Sequence, residues 1–60
     1  MKGKAGERVL ISGVYREVTS EGLVIAEVIC MKNEIFPPTA HKDNYYEIKM
    51  IASSNDEFVK

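Results

Sequence analysis

The sequence has one cysteine, one histidine and no tryptophan among its 60 residues. A single cysteine excludes an intrachain disulfide, and a structural zinc site takes about four Cys or His ligands, whereas this chain offers only Cys30 and His41. No metal and no cofactor are therefore expected. A single core in a chain this short supplies only roughly 3–5 kcal/mol. We therefore expect self-association, as a homodimer, to support the fold.

The sequence also has no strong excess of either charge. Eight Lys and Arg against nine Asp and Glu give a formal net charge of −1, which argues against a protein that holds nucleic acid mainly by neutralising phosphates. No apolar run approaches the roughly 18 residues of a membrane span, and the N-terminal residues lack the apolar stretch of a signal peptide. We expect a cytoplasmic protein with no membrane association.

Groups for catalysis are equally scarce. Cys30 as a nucleophile needs a neighbouring base, and the only histidine, His41, is predicted to lie in a polar loop beyond Pro37 and Pro38. No two carboxylates have the spacing of an acid/base pair, and a chain of this size has little volume for a pocket of about 300 Å³ or more. We expect no enzymatic activity and no catalytic residue, with Cys30 in the core and His41 in solvent.

The composition that remains is that of one folded domain, with 45% hydrophobic and 28% charged residues. Residues 1–7, rich in Gly and Lys, are predicted to form a flexible arm, residues 8–52 a single β domain and residues 53–60 a frayed tail. Turns are predicted at residues 20–22, where Gly22 can adopt positive φ, and at residues 32–34, where Asn33 can do so.

Four segments outside these turns have the composition of strands. Residues 9–11 form a short aliphatic run, residues 14–19 combine β-branched and aromatic residues, residues 45–51 alternate in polarity, and residues 23–31 are almost wholly apolar. The sequence therefore predicts an all-β fold, a small antiparallel meander of three main strands plus a short N-terminal strand. The segment 23–31 is predicted to be the central strand.

That central strand is apolar on both faces, whereas a sheet with one solvated face alternates apolar with polar residues. The smaller set, Val24, Ala26, Val28 and Cys30, is expected to pack within the chain. The bulkier residues Leu23, Ile25 and Ile29 are predicted to lie at a homodimer interface. Alternatively, residues 36–38 and the N-terminal run cover the second face.

Four short motifs lie along residues 5–48: Ala5-Gly6-Glu7, Ser12-Gly13-Val14-Tyr15, Asn33-Glu34-Ile35-Phe36-Pro37-Pro38 and Tyr45-Tyr46. Together they resemble a group of short uncharacterised bacterial proteins, YjzC-like or degenerate zinc-ribbon-like. Some of these place Cys directly after Phe-Pro-Pro, as a zinc knuckle would, but this chain has Thr39 there and no second Cys. Without those cysteines a metal role is not carried over, and the resemblance implies a β-rich fold and no particular activity.

Two further features bear on function. Glu27 interrupts the apolar strand, and cross-strand pairing with Arg16 or Lys49 is its simplest explanation. Phe36 is expected to anchor the segment containing the two prolines in the core.

We expect a non-enzymatic protein-interaction module that self-associates and contacts an unidentified protein partner. The alternative is a weak binder of single-stranded nucleic acid, in which Tyr15, Tyr45 and Tyr46 form a stacking surface beside strand lysines. Given the net charge, nucleic acid is the less favoured partner.

Overall fold

The computed structural model describes residues 2–52, and within them the chain is all β. Its strands are β1 (Lys2–Gly3), β2 (Gly13–Val18), β3 (Val24–Cys30) and β4 (Tyr45–Ile51). They form one open antiparallel sheet in the order β1-β4-β2-β3, with no helix in these residues. The all-β prediction, with three long strands and a short N-terminal one, is confirmed. The predicted frayed tail at residues 53–60 lies outside the described residues.

The strand order differs from that of a simple meander. β2 is the central strand, paired with β3 on one side and with β4 on the other. β3, predicted to be central, is an edge strand. The reason is the long connection over residues 31–44, which crosses one face of the sheet and returns the chain beside β2 instead of beside β3.

The short N-terminal strand lies earlier in the chain than predicted. Residues 9–11 do not form a strand, and Val9 instead exchanges backbone hydrogen bonds with the turn at Asn33 and Glu34. Lys2 and Gly3 pair with Glu47 and Tyr46 of β4, so the prediction of a flexible arm is wrong for these two residues. The strand propensity of a Lys-Gly pair is low, so the sequence does not predict this strand. The pair joins the sheet because the edge of β4 is available to it.

The core is built from aromatic rings. Phe36 lies edge-on to Tyr15, with ring centroids 5.0 Å apart at 80°, and stacks on Tyr46 at 5.0 Å and 10°. The hydroxyl of Tyr15 donates to the Ile11 carbonyl at 2.6 Å, and that of Tyr46 to the Pro37 carbonyl at 3.1 Å. Buried tyrosines need such partners for their hydroxyls. The prediction that Phe36 anchors its segment in the core is confirmed.

The two predicted turns adopt the predicted backbone. Gly22 has φ of 91° and Asn33 has φ of 77°, the left-handed region that these residue types tolerate. The first turn is closed by the Thr19 hydroxyl oxygen, which accepts a hydrogen bond from the Leu23 N–H at 3.1 Å. β2 and β3 therefore form the hairpin that the sequence predicts.

Candidate interaction surface

The two faces of the sheet differ in what covers them. Residues directly opposite in an antiparallel pair share a face, and Tyr15 lies opposite Val28 of β3 and Ile48 of β4. These side chains pack into one cluster with Val9 and Phe36, which belong to the two connecting segments. We call this the covered face.

The opposite side of the sheet is here called the open face, because none of its described residues belongs to that core cluster. Large apolar side chains such as Ile29, Val24 and Met50 are half or more exposed there, while Val18 is buried. From the register, the open face contains Val14, Arg16, Val18, Val24, Glu27, Ile29, Tyr45, Glu47 and Met50.

A row of charges crosses the middle of the open face. Arg16 lies between Glu27 of β3 and Glu47 of β4 in the register, and its Nη2 is 3.5 Å from Glu47 Oε1. Lys49 Nζ reaches Glu27 Oε2 at 2.9 Å. Glu27 is therefore exposed and ion-paired with Lys49, one of the two predicted partners. Pairs this exposed contribute roughly 0.2–1 kcal/mol each.

β3 is the longer edge strand of the sheet, and its pairing with β2 shifts register between Glu17 and Val18. Among residues 2–52 it pairs only with β2, whereas the opposite end of the sheet finishes in β1, which has only two residues. An edge strand presents unpaired backbone N–H and C=O groups that can accept another strand. The sequence of β3 contains no proline and only one charged residue, Glu27. We refer to this feature as the β3 edge.

The three predicted interface residues lie together at the β3 edge. Leu23 is 62% exposed, Ile25 47% and Ile29 61%. Ile25 and Ile29 are in β3, and Leu23 directly precedes it. The structure thus places all three where a second chain could reach them.

The prediction that the smaller set of β3 residues packs within the chain is correct only for its C-terminal half. Cys30 is buried and Val28 packs against the core, whereas Val24 is half exposed and Ala26 is exposed. The connecting segments cover Val28 and Cys30 but not Ala26. Val24 lies on the open face, because the pairing of β3 with β2 shifts register between Glu17 and Val18.

The predicted stacking surface does not form. Tyr15 and Tyr46 are 0% and 1% exposed, and burial is the main cause that raises the pKa of both hydroxyls. Tyr45 alone is partly exposed, with the Lys2 ammonium 5.1 Å from its ring centroid. The other two tyrosines are held by Phe36 on the covered face, so bases cannot stack on them.

Glu17 is a buried charged residue whose importance the sequence reasoning missed. Its Oε2 accepts hydrogen bonds from the Ala40 N–H and from Asn44 Nδ2, both at 2.8 Å. Asn44 is buried as well. The one available signal is that Glu17 shares strand parity with the buried Tyr15. Because both donors come from residues 40–44, this carboxylate fastens the long connection to the sheet.

Groups for chemistry lie apart from one another. Cys30 is buried, which raises the pKa of its thiol, and His41 is exposed in the connection. The described part of the chain has no group of three or more His, Cys, Asp or Glu side chains placed to hold a metal. Nor does it include a helix with the length and apolar character of a membrane span.

Concave surface exists despite the small size of the chain. Two depressions of about 350 Å³ each flank β1, and one is lined by Lys2, Gly3, Lys4, Glu7 and Tyr45. The expectation that the chain has little volume for a pocket of about 300 Å³ or more is therefore wrong. The lining just named has neither a nucleophile–base pair nor a pair of carboxylates, so it indicates no reaction.

Comparison with known proteins finds no matching family model, no matching curated protein and no matching solved structure.

Proposed function

We propose that this chain is a protein-interaction domain that self-associates through the β3 edge, so that two copies join their sheets into one continuous sheet. The observation that carries the proposal is an edge strand whose outer side pairs with no other strand among the described residues and along which Leu23, Ile25 and Ile29 are exposed. Edge pairing supplies partners for the backbone groups and covers part of these side chains.

Pairing at the edge is favoured over face-to-face packing of two open faces. Face-to-face packing would bury the Arg16–Glu47 and Lys49–Glu27 pairs, whose side chains are about one third to one half exposed. The desolvation cost of burying an ion pair can exceed its Coulombic gain. Edge pairing leaves both pairs at the surface of the joined sheet.

A second copy is the occupant that best fits this edge. The strand that pairs with β3 must carry apolar residues on both sides of one central polar or charged position, since Ile25 and Ile29 lie two residues before and after Glu27 and are both exposed. β3 meets this requirement. A core consisting of five buried side chains and two partly buried ones is also small, and domains of this size commonly gain stability from a partner chain.

The experiment compares two variants that place lysine on equally exposed apolar positions. Ile25→Lys introduces a charge at the β3 edge, and Met50→Lys introduces one on β4, where Met50 is 51% exposed. Light scattering and analytical ultracentrifugation over a concentration series give the oligomeric state, and circular dichroism checks folding. We expect wild type and Met50→Lys to dimerise and Ile25→Lys to be a folded monomer.

A wild-type chain that is cooperatively folded and monomeric at about 1 mM would have less than about 4 kcal/mol of association free energy. That result would overturn the proposal and leave β3 as an edge for a different protein strand.

A further inference from the structure

Resting on the proposed function, we infer that the two copies pair in one register, antiparallel about a twofold axis at Glu27, and that Lys49 makes this register tolerable by neutralising the two carboxylates that meet there. In this register specific residues of the two copies lie opposite each other, and the charge of Lys49 controls whether the dimer forms. Self-association in another register would therefore refute it and leave the proposed function intact.

The register follows from a short near-palindrome centred on Glu27 in β3. In a twofold interface residue i meets residue j and j meets i, so side chains at equal distances from the axis must suit each other. About Glu27 they match in character and roughly in size. The pairs nearest the axis are Ala26 with Val28 and Ile25 with Ile29. The match ends there, because a register shift between Glu17 and Val18 places Val24 on the open face while Cys30 is buried on the covered face.

Other registers lose this match. Moving the axis to Ala26 or Val28 sets Glu27 against an isoleucine, Ile25 or Ile29, of the second copy. A slip by one residue in the pairing places the open face of one copy beside the covered face of the other, because side chains alternate with a period of two. The axis at Glu27 keeps both open faces on the same side of the joined sheet.

The cost of this register is that two carboxylates meet at the axis. Like charges directly opposite destabilise a strand pair, with Cβ atoms about 4.5–5.5 Å apart. Each Glu27 arrives with its own counter-charge, since Lys49 Nζ is 2.9 Å from Glu27 Oε2. Arg16 and Glu47 complete the row of charges on β2 and β4 and balance each other, so each copy contributes a row of zero net charge.

Disulfide trapping tests the register. In a Cys30→Ala background, Glu27→Cys is expected to form a covalent dimer under mild oxidation. Ile25→Cys alone should not, because two residues at position 25 lie about four residues apart along the strands, roughly 13 Å. An equal mixture of Ile25→Cys and Ile29→Cys should cross-link again. Circular dichroism verifies that each variant folds.

The outcomes separate the two ideas. A dimer by light scattering that cross-links through Ala26→Cys or Val28→Cys, and not through Glu27→Cys, overturns the register alone. A monomer under all conditions overturns both the register and the proposed function.

A double-mutant cycle tests Lys49. Lys49→Met leaves two unneutralised carboxylates at the axis and should weaken dimerisation about tenfold. Glu27→Gln removes the repulsion between the carboxylates. The double variant Glu27→Gln/Lys49→Met should therefore dimerise at least as tightly as the wild type. A surface residue with only a structural role would not show this rescue. A wild-type dissociation constant for Lys49→Met, or the lack of rescue, would refute the role of Lys49.

Discussion

Glu17 accepts a hydrogen bond from the side-chain amide of Asn44 over 2.8 Å, and both residues are buried. The same carboxylate oxygen accepts the Ala40 N–H at 2.8 Å. One strand residue thus ties the end of the connection to the sheet next to β4. The order of strands depends on this connection, because it carries the chain past β3 and back to β2.

Removing the Glu17 carboxylate should therefore destabilise the fold. Glu17→Ala leaves the Asn44 amide and the Ala40 N–H without their acceptor, and an unsatisfied buried donor costs about 1–3 kcal/mol. Urea denaturation measures the loss. Glu21→Ala, at an exposed acidic residue in the β2–β3 turn, is the control and should change stability by less than about 0.5 kcal/mol. Equal stability of the two variants would contradict this role of Glu17.

Phe36 is expected to be the most costly single position in the core. Its ring contacts both Tyr15 and Tyr46, and Phe→Ala in a core costs about 3–5 kcal/mol, comparable to the whole stability of a domain this small. Phe36→Ala should be largely unfolded at 25 °C by circular dichroism. The neighbouring Ile35→Ala, at an exposed residue, serves as the comparison and should remain folded. A cooperatively folded Phe36→Ala variant would show that the aromatic cluster is not the main support.

Gly3→Ala should release β1 from the sheet. A Cβ at this position would overlap Cε2 of Phe36, so either the ring or the strand must move, at a cost of about 1–3 kcal/mol. Hydrogen exchange at the β1–β4 pairs should accelerate. Lys2→Ala is the control, since the Lys2 side chain points to Tyr45 and its loss costs only about 0.5–1 kcal/mol. Unchanged exchange in Gly3→Ala would refute the close contact.

Stability should fall in alkali. Burial raises the pKa of Tyr15, Tyr46 and Cys30 above their ordinary values of 10.0 for the tyrosines and 9.0 for the thiol. The unfolded chain therefore binds fewer protons than the folded one above these values. The contribution is fully present below about pH 9 and is lost as the pH rises, by up to roughly 1.4 kcal/mol per pH unit for each group.

Thermal unfolding from pH 7 to 11 measures this slope. Cys30→Ala should remove the part that begins near pH 9 and leave the tyrosine part above pH 10. A melting temperature that is constant up to pH 11 would contradict the prediction.

The local structure of this protein could be predicted from its sequence. β-branched and aromatic composition located the three long strands, and the backbone freedom of Gly22 and Asn33 located the turns, because such preferences act over a few neighbouring residues. The aromatic residue directly before the two prolines, Phe36, could likewise be recognised as a core anchor. The pairing of Glu27 with a cation could also be predicted, since a carboxylate on an otherwise apolar strand is expected to pair with a positive charge on a neighbouring strand.

Which strand is central, which tyrosines are buried and where β1 lies became clear only from the folded chain. These outcomes depend on contacts distant in the sequence: Phe36 between Tyr15 and Tyr46, Glu17 with Ala40 and Asn44, and Gly3 against Phe36. Strand composition is the same whether a strand is central or at the edge. The free side of β3 follows from the path of residues 31–44 across the covered face, which no local preference specifies.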